Sequence, residues 1–205
     1  MTTETATEKT TRHINPDGTV GGLIGPDAYV APTAYLGYDA EVTGYARVSE
    51  NAKVLGNAMV SGYASVSENA KVLENAKVSG DAEVFGDTQV YGDAMVSGYA
   101  TVADDAKVFG SAKVDGDAWV CGSAWVSGDA MVSGEASVFG DAWVDGDAKV
   151  YGRACVHGSA QVDGNAKVTG NAQVSGSAQV FGDAQVYGNG KVLGNEQVSG
   201  NMRVQ

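Results

Sequence analysis

Valine recurs at every sixth residue from Val42 to Val204 without exception, and the residue two places earlier is alanine from Ala28 to Ala184 save at Thr88. A helix repeats its faces every 3.6 residues, so it cannot carry this period. The A-x-V triplet alternates instead, which predicts one short strand per hexad, with Ala and Val on one face and the residues either side of Val on the other. Between the triplets stand Gly and Asn or Asp, as in Val54-Leu55-Gly56-Asn57-Ala58. These residues accept positive φ, so each hexad is expected to end in a corner. The frame runs from Ile24 to Val204 with no inserted or deleted residue.

Short strands that always turn the same way coil instead of forming hairpins. Three hexads close a triangular turn of 18 residues, and the 180 residues from Ile24 to Val204 make about ten such coils. Stacked at ~4.8 Å, they form a prism about 50 Å long. The predicted fold is all-β, a single-stranded triangular parallel β-helix (β-solenoid) over residues 24–205, filled by Val and Ala. Its stability comes from stacking, since no single turn can bury its own apolar face. Residues 11–23 break the frame, contain Ile14, Val20 and a Pro-Asp-Gly turn, and are expected to fold over the first coil as a cap. Residues 1–10, rich in Thr and Glu, are expected to form a flexible arm. Near Gln205 the alanine position becomes Gly190, Glu196 and Met202, with Met202 placed to plug the interior and an open coil edge expected to meet another subunit.

Segments such as Gly110-Ser111-Ala112-Lys113-Val114 and Gly170-Asn171-Ala172-Gln173-Val174 carry a hexad that resembles the hexapeptide-repeat left-handed parallel β-helix family, over about 180 of the 205 residues. The resemblance implies a left-handed coil. It also implies kinship with trimeric acyltransferases, which use a catalytic histidine and a long loop thrown out of one coil to shape the acyl-donor site. The unbroken frame here leaves no room for such a loop, so this reading rests on His157 alone.

Composition narrows the function classes. A hydrophobic share of 43% is too high for a disordered chain, and no stretch approaches the eighteen or so apolar residues of a membrane helix. The net charge is −12, from 13 Lys+Arg against 25 Asp+Glu, with no basic cluster, so neither nucleic acid nor membrane is expected as a partner. An acidic DNA mimic is conceivable, but Lys53, Lys71, Lys107, Lys149 and Lys167 interrupt any continuous negative face. Two cysteines and no charged-then-apolar leader lead us to expect no signal peptide and a cytoplasmic or virion location.

Candidate chemistry is sparse. His13 precedes the repeat and is expected to be a solvated cap residue; His157 is expected on an outer wall beside Cys155. Two ligands are too few for a metal, and Asp163 and Cys121 fall on another wall and two coils away. Corner carboxylates such as Asp87 and Asp105, or Asp129 and Asp147, stack in the 18-residue register and could bridge a cation, yet Asn and Ser fill equivalent corners, which points to turn geometry. No catalytic residue, metal or cofactor is expected.

One outer wall stands apart, with Leu55, Leu73, Tyr91 and Phe109 beside Lys53, Lys71, Gln89 and Lys107, followed by Trp125, Trp143 and then Phe181. A continuous apolar stripe of this kind exceeds what soluble monomers usually leave uncovered. Leu55, Leu73, Tyr91, Phe109, Trp125 and Trp143 are therefore the candidate interface of a homo-oligomer, whether trimer, dimer or end-to-end array; aromatic stacking within the chain and carbohydrate stacking on the tryptophans are the alternatives. A second wall carries Phe85, Trp119, Cys121 and Phe139, and a third is mostly Ser, Met and Lys. Since the repeat is nowhere broken for a site, the expected function is a non-enzymatic structural rod or scaffold, such as a part of a virion or other large particle, with the acyltransferase and the DNA mimic as alternatives.

Overall fold

The computed structural model describes residues 10–205. The expected arm therefore lies almost wholly outside the described residues. After β1 (Thr11–Ile14) and β2 (Val20–Ile24), two-residue strands recur every six residues, from β3 (Tyr29–Val30), β4 (Tyr35–Leu36) and β5 (Glu41–Val42) up to Arg203–Val204. Each pairs in parallel with the strand 18 residues away, as Val72 with Val54 on one side and Val90 on the other. Three stacked sheets result, two of ten strands and one of twelve, forming a solenoid of about ten turns. The ladder is regular because each strand lends its odd-numbered amides to the next coil: Lys71 N–H donates to Thr88 C=O and Leu73 N–H to Val90 C=O, both at 2.9 Å.

The interior is the Ala and Val ladder of the sequence. From Ala34 to Val186 every alanine and valine of the frame has at most 1% of its surface exposed. Thr88, which replaces an alanine, is equally buried, and its hydroxyl has no hydrogen-bond partner. A buried hydroxyl left unpaired is a local cost in an otherwise apolar tube.

The corners differ in detail from the expectation. Positive φ falls on the residue after the outward one, glycine in nearly every coil, and never on the Asn or Asp that follows it. At Gly110 (φ 72°) an added Cβ would stand 2.9 Å from the carbonyl oxygen of Gly128 in the next coil, so both backbone conformation and coil spacing favour glycine. Glu50, Glu68, Glu74 and Asp104 nevertheless hold the same left-handed conformation. Two of them gain a compensating bond: the carboxylate of Glu74 accepts from Gly92 N–H and that of Asp104 from Gly122 N–H, each at 2.9 Å.

The cap is a hairpin, with β1 antiparallel to β2 at the end of the twelve-stranded sheet. Its apolar residues are not what covers the first coil, for Ile14 and Val20 are 59% and 51% exposed. Polar side chains do that work. His13, expected to be solvated, is buried; its Nε2 lies 3.0 Å from Ala34 C=O, and because a carbonyl can only accept, Nε2 carries the proton. Asn15 accepts from Leu36 N–H at 2.9 Å and donates to Leu36 C=O at 3.0 Å. Together the two side chains take the place of a missing strand along the edge of β4, where unpaired backbone groups would otherwise be buried. Arg12 adds bonds to Gly21 C=O and Tyr38 C=O, with its guanidinium 3.9 Å from the Tyr38 ring centroid. At the far end Met202 is 50% exposed and does not plug the interior. Its side chain stands open to solvent and is not enclosed by the coil, and nearby Glu196 turns outward to accept from Leu193 N–H at 3.1 Å.

Candidate functional site

The frame puts two outward columns on each wall, one before and one after the buried valine, and 18 residues separate successive members of a column. On the wall built from β4 and the strands above it, the bulky residues follow valine at Leu55, Leu73, Tyr91 and Phe109, then precede it at Trp125 and Trp143. The structure brings the aromatic members together. Tyr91 and Phe109 stack with centroids 4.9 Å apart, and Trp125 and Trp143 do the same at 4.9 Å. Phe109 meets Trp125 edge to face at 5.9 Å, which carries the stripe across the wall from one column to the other. Lys107 lies below Trp125 with its ammonium 4.7 Å from the ring centroid, so the indole is sandwiched between a cation and a second indole.

Stacking makes the stripe less exposed than the frame alone implies. Leu55, Leu73, Tyr91, Phe109 and Trp125 are half-buried, while Trp143, whose outer face lacks an aromatic neighbour, is 47% exposed. Burial raises the Tyr91 hydroxyl above its ordinary pKa, and the nearby Glu74 carboxylate pushes it the same way. Above Trp143 the wall turns polar: Gln161, Gln179 and Gln197 form a hydrogen-bonded amide ladder at 3.2 and 2.9 Å, flanked by Asp145 and Asp163. The ladder and the rest of this polar half are legible only by counting the register, and the sequence pattern alone did not single them out.

The other candidate residues are dispersed. His157 sits on the second wall, its ring stacked on Phe139 with centroids 4.9 Å apart. Cys155 lies two residues before it, and its thiol is raised above its usual pKa by burial; Cys121 is raised by burial and by Asp104. Neither cysteine is therefore poised as a thiolate at neutral pH. Asp87 and Asp105 border a shallow trough with Lys71 and Lys107, and Asp129 and Asp147 a similar one with Lys149 and Lys167, so these stacked carboxylates face lysines. Among the described residues, no group of three or more His, Cys, Asp or Glu side chains is gathered as a metal site.

Comparison with known proteins adds a short match. Residues 88–104, about the length of one coil, match the family model of the YdcK Beta solenoid repeat. The matched unit is a β-solenoid repeat. No curated protein matches the chain significantly. The match supports a β-helix repeat family and does not reach the acyltransferase branch of the hexapeptide resemblance.

Proposed function

We propose that this chain is a non-enzymatic structural solenoid, a rigid rod that associates with copies of itself through the wall bearing Leu55, Leu73, Tyr91, Phe109, Trp125 and Trp143. The observation that carries the reading is the unbroken aromatic contact from Tyr91 to Trp143 on an outer wall. The stripe is a continuous run of large apolar side chains along an outer wall, and aromatic residues are the ones enriched where proteins meet. The uniform frame favours the same reading, since every coil has the same length and none is diverted to build a cleft. In this view the rod serves as a spacer or scaffold inside a larger assembly, such as a virion or a surface structure.

Light scattering on the intact chain tests the proposal: a mass at a multiple of one chain supports it, and a mass of one chain across micromolar to millimolar concentrations removes it. The alternative, acyl transfer through His157, is separated by an acyl-coenzyme A assay, in which activity lost in His157→Ala would displace the scaffold reading.

A further inference from the structure

Beyond the aromatic stripe the same wall changes its chemistry. Trp143 ends the stack with one face on Trp125, and its other face is turned toward the next coil, where Gln161 takes the column. Two coils above Trp143, Phe181 stands in the other column, 39% exposed. Between the two rings lie Gln161 and Asp163, with Asp145 beside Trp143. These residues form two adjoining troughs of about 210 and 260 Å³ that share Gln161 and Asp163. Rungs stack at ~4.8 Å, so a group seated over Val162 stands about one coil from each ring.

The polar atoms of the trough are acceptors without a cation. From Trp125 upward, neither outward column of this wall nor the corners bordering it carries Lys, Arg or His. Asp145 Oδ1 accepts from the Ser127 hydroxyl at 2.8 Å and Asp163 Oδ1 from Gly164 N–H, which leaves Oδ2 of each carboxylate free. Among the described residues the one ion pair is Arg153 with Glu135, on a different corner. The corner residues Asp129 and Asp147 differ from these two, since Lys149 and Lys167 of the neighbouring wall face them. Gln161 Oε1 is likewise an acceptor, holding Gln179 Nε2 at 3.2 Å.

We infer that this trough docks an arginine side chain of a partner peptide, its guanidinium over Val162 between the Trp143 and Phe181 rings and its N–H fork on Asp163. Asp145 and the Gln161 carbonyl are the further acceptors. Two free aromatic faces and two unpaired carboxylates are complementary to an organic cation, whereas a neutral sugar would use the rings and leave the charges unmatched. The planar guanidinium suits the place better than an ammonium, because it stacks on a ring while its edge bonds a carboxylate. The trough is also shallow, with both rings well exposed. A free small molecule needs most of its surface enclosed, so the cation is one carried by a larger body. The net charge of −12 draws such a basic partner in. The site shares only Trp143 with the stripe and does not depend on self-association.

Nuclear magnetic resonance on the isotope-labelled intact chain tests the site with three blocked peptides at low salt: acetyl-Gly-Arg-Gly-amide, the same peptide with lysine, and the same peptide with citrulline, the neutral isostere of arginine. The arginine peptide is expected to shift the Trp143 indole N–H and the Gln161 amide saturably and to leave the Trp119 indole, on the second wall, in place. Lysine should bind about threefold more weakly or worse, and citrulline should give no saturable shift. Asp163→Asn should weaken the arginine peptide by about threefold or more, and Trp143→Leu, read at the Gln161 amide, by a similar factor. An equal response to citrulline, no saturable response, or unchanged affinity in Asp163→Asn overturns the site; an equal response to lysine overturns the guanidinium assignment. Light scattering on the same samples reads self-association separately. A multi-chain mass with no response at Trp143 removes the site and leaves self-association standing, and a responding single chain does the reverse.

Discussion

Phe109 and Trp125 meet edge to face, their ring centroids 5.9 Å apart and their planes at 78°. This contact joins two parallel stacks, Tyr91 on Phe109 below and Trp125 on Trp143 above, that stand in different columns of one wall. Offset and edge-to-face pairs of this kind contribute roughly 0.5–1.5 kcal/mol each beyond the area they bury. The ladder is thus held in fixed rotamers within the chain, which would lower the ordering cost of the self-association proposed above.

Replacing Tyr91 and Trp125 by serine removes a ring from each stack without touching the valine core. The expected outcome is an unchanged far-ultraviolet spectrum and a shift of the assembly to a smaller species. Light scattering that returns the mass of the unmodified assembly would show that the wall is only an intramolecular ladder.

The interior offers a test of the opposite sign. Thr88 stands where the frame has alanine, fully buried and with its hydroxyl unpaired. Thr88→Val keeps the shape and removes the unpaired group, so stability should rise by about 1–2 kcal/mol. Chemical unfolding of the two chains checks this, and an unchanged or lowered midpoint would mean that the hydroxyl finds a partner.

Gly110→Ala probes the corner. The left-handed conformation costs an L-residue about 1–2 kcal/mol, and the added methyl presses on the Gly128 carbonyl of the coil above. A loss of roughly 2 kcal/mol or more is expected in the same unfolding experiment, with no change in oligomeric mass at temperatures where the chain stays folded.

At the cap, Asn15→Ala leaves Leu36 N–H and C=O without partners. The expected result is a loss of about 1–3 kcal/mol, felt first by the coil it covers. Hydrogen exchange should therefore quicken at Leu36 and leave the central valines, such as Val108, nearly as protected as before.

The hairpin also carries a pH dependence. Asp17 accepts bonds from the Thr19 hydroxyl and amide and from the Tyr35 hydroxyl, and these hold its carboxyl below the ordinary value of 3.8. A depressed folded pKa stabilises above the unfolded value and is lost as pH falls through the folded one, so the hairpin should loosen only below about pH 4. Asp17→Asn should flatten that acid limb. If exchange at the Thr19 amide shows the same acid dependence in both chains, Asp17 is not its cause.

The tube and its three walls were legible in the sequence because one period governs every residue between Ile24 and Val204. Counting by 18 also placed Tyr91 over Leu73 and Trp143 over Trp125, and so found the stripe. It could not show how far stacking would half-bury those rings, since that depends on rotamers. The cap escaped for a different reason. It lies outside the frame, where Ile14 and Val20 look like the covering residues, yet the edge of β4 presents backbone groups that only polar side chains such as His13 and Asn15 can satisfy. Likewise, Glu50, Glu68, Glu74 and Asp104 look like plain substitutions for glycine, while two of them carry a carboxylate bond to the next coil.

The 18-residue register has a further consequence for how such a chain can vary. Removing one whole coil, for example residues 127–144, shortens the rod by a single rung and leaves every later side chain on its own face. Removing one hexad leaves the buried valines in step but carries all later residues round to the neighbouring face, so the tryptophans would no longer continue the line begun at Leu55. Length can therefore drift in whole coils at little cost to recognition, whereas a six-residue change would preserve the folded tube and scramble what it displays.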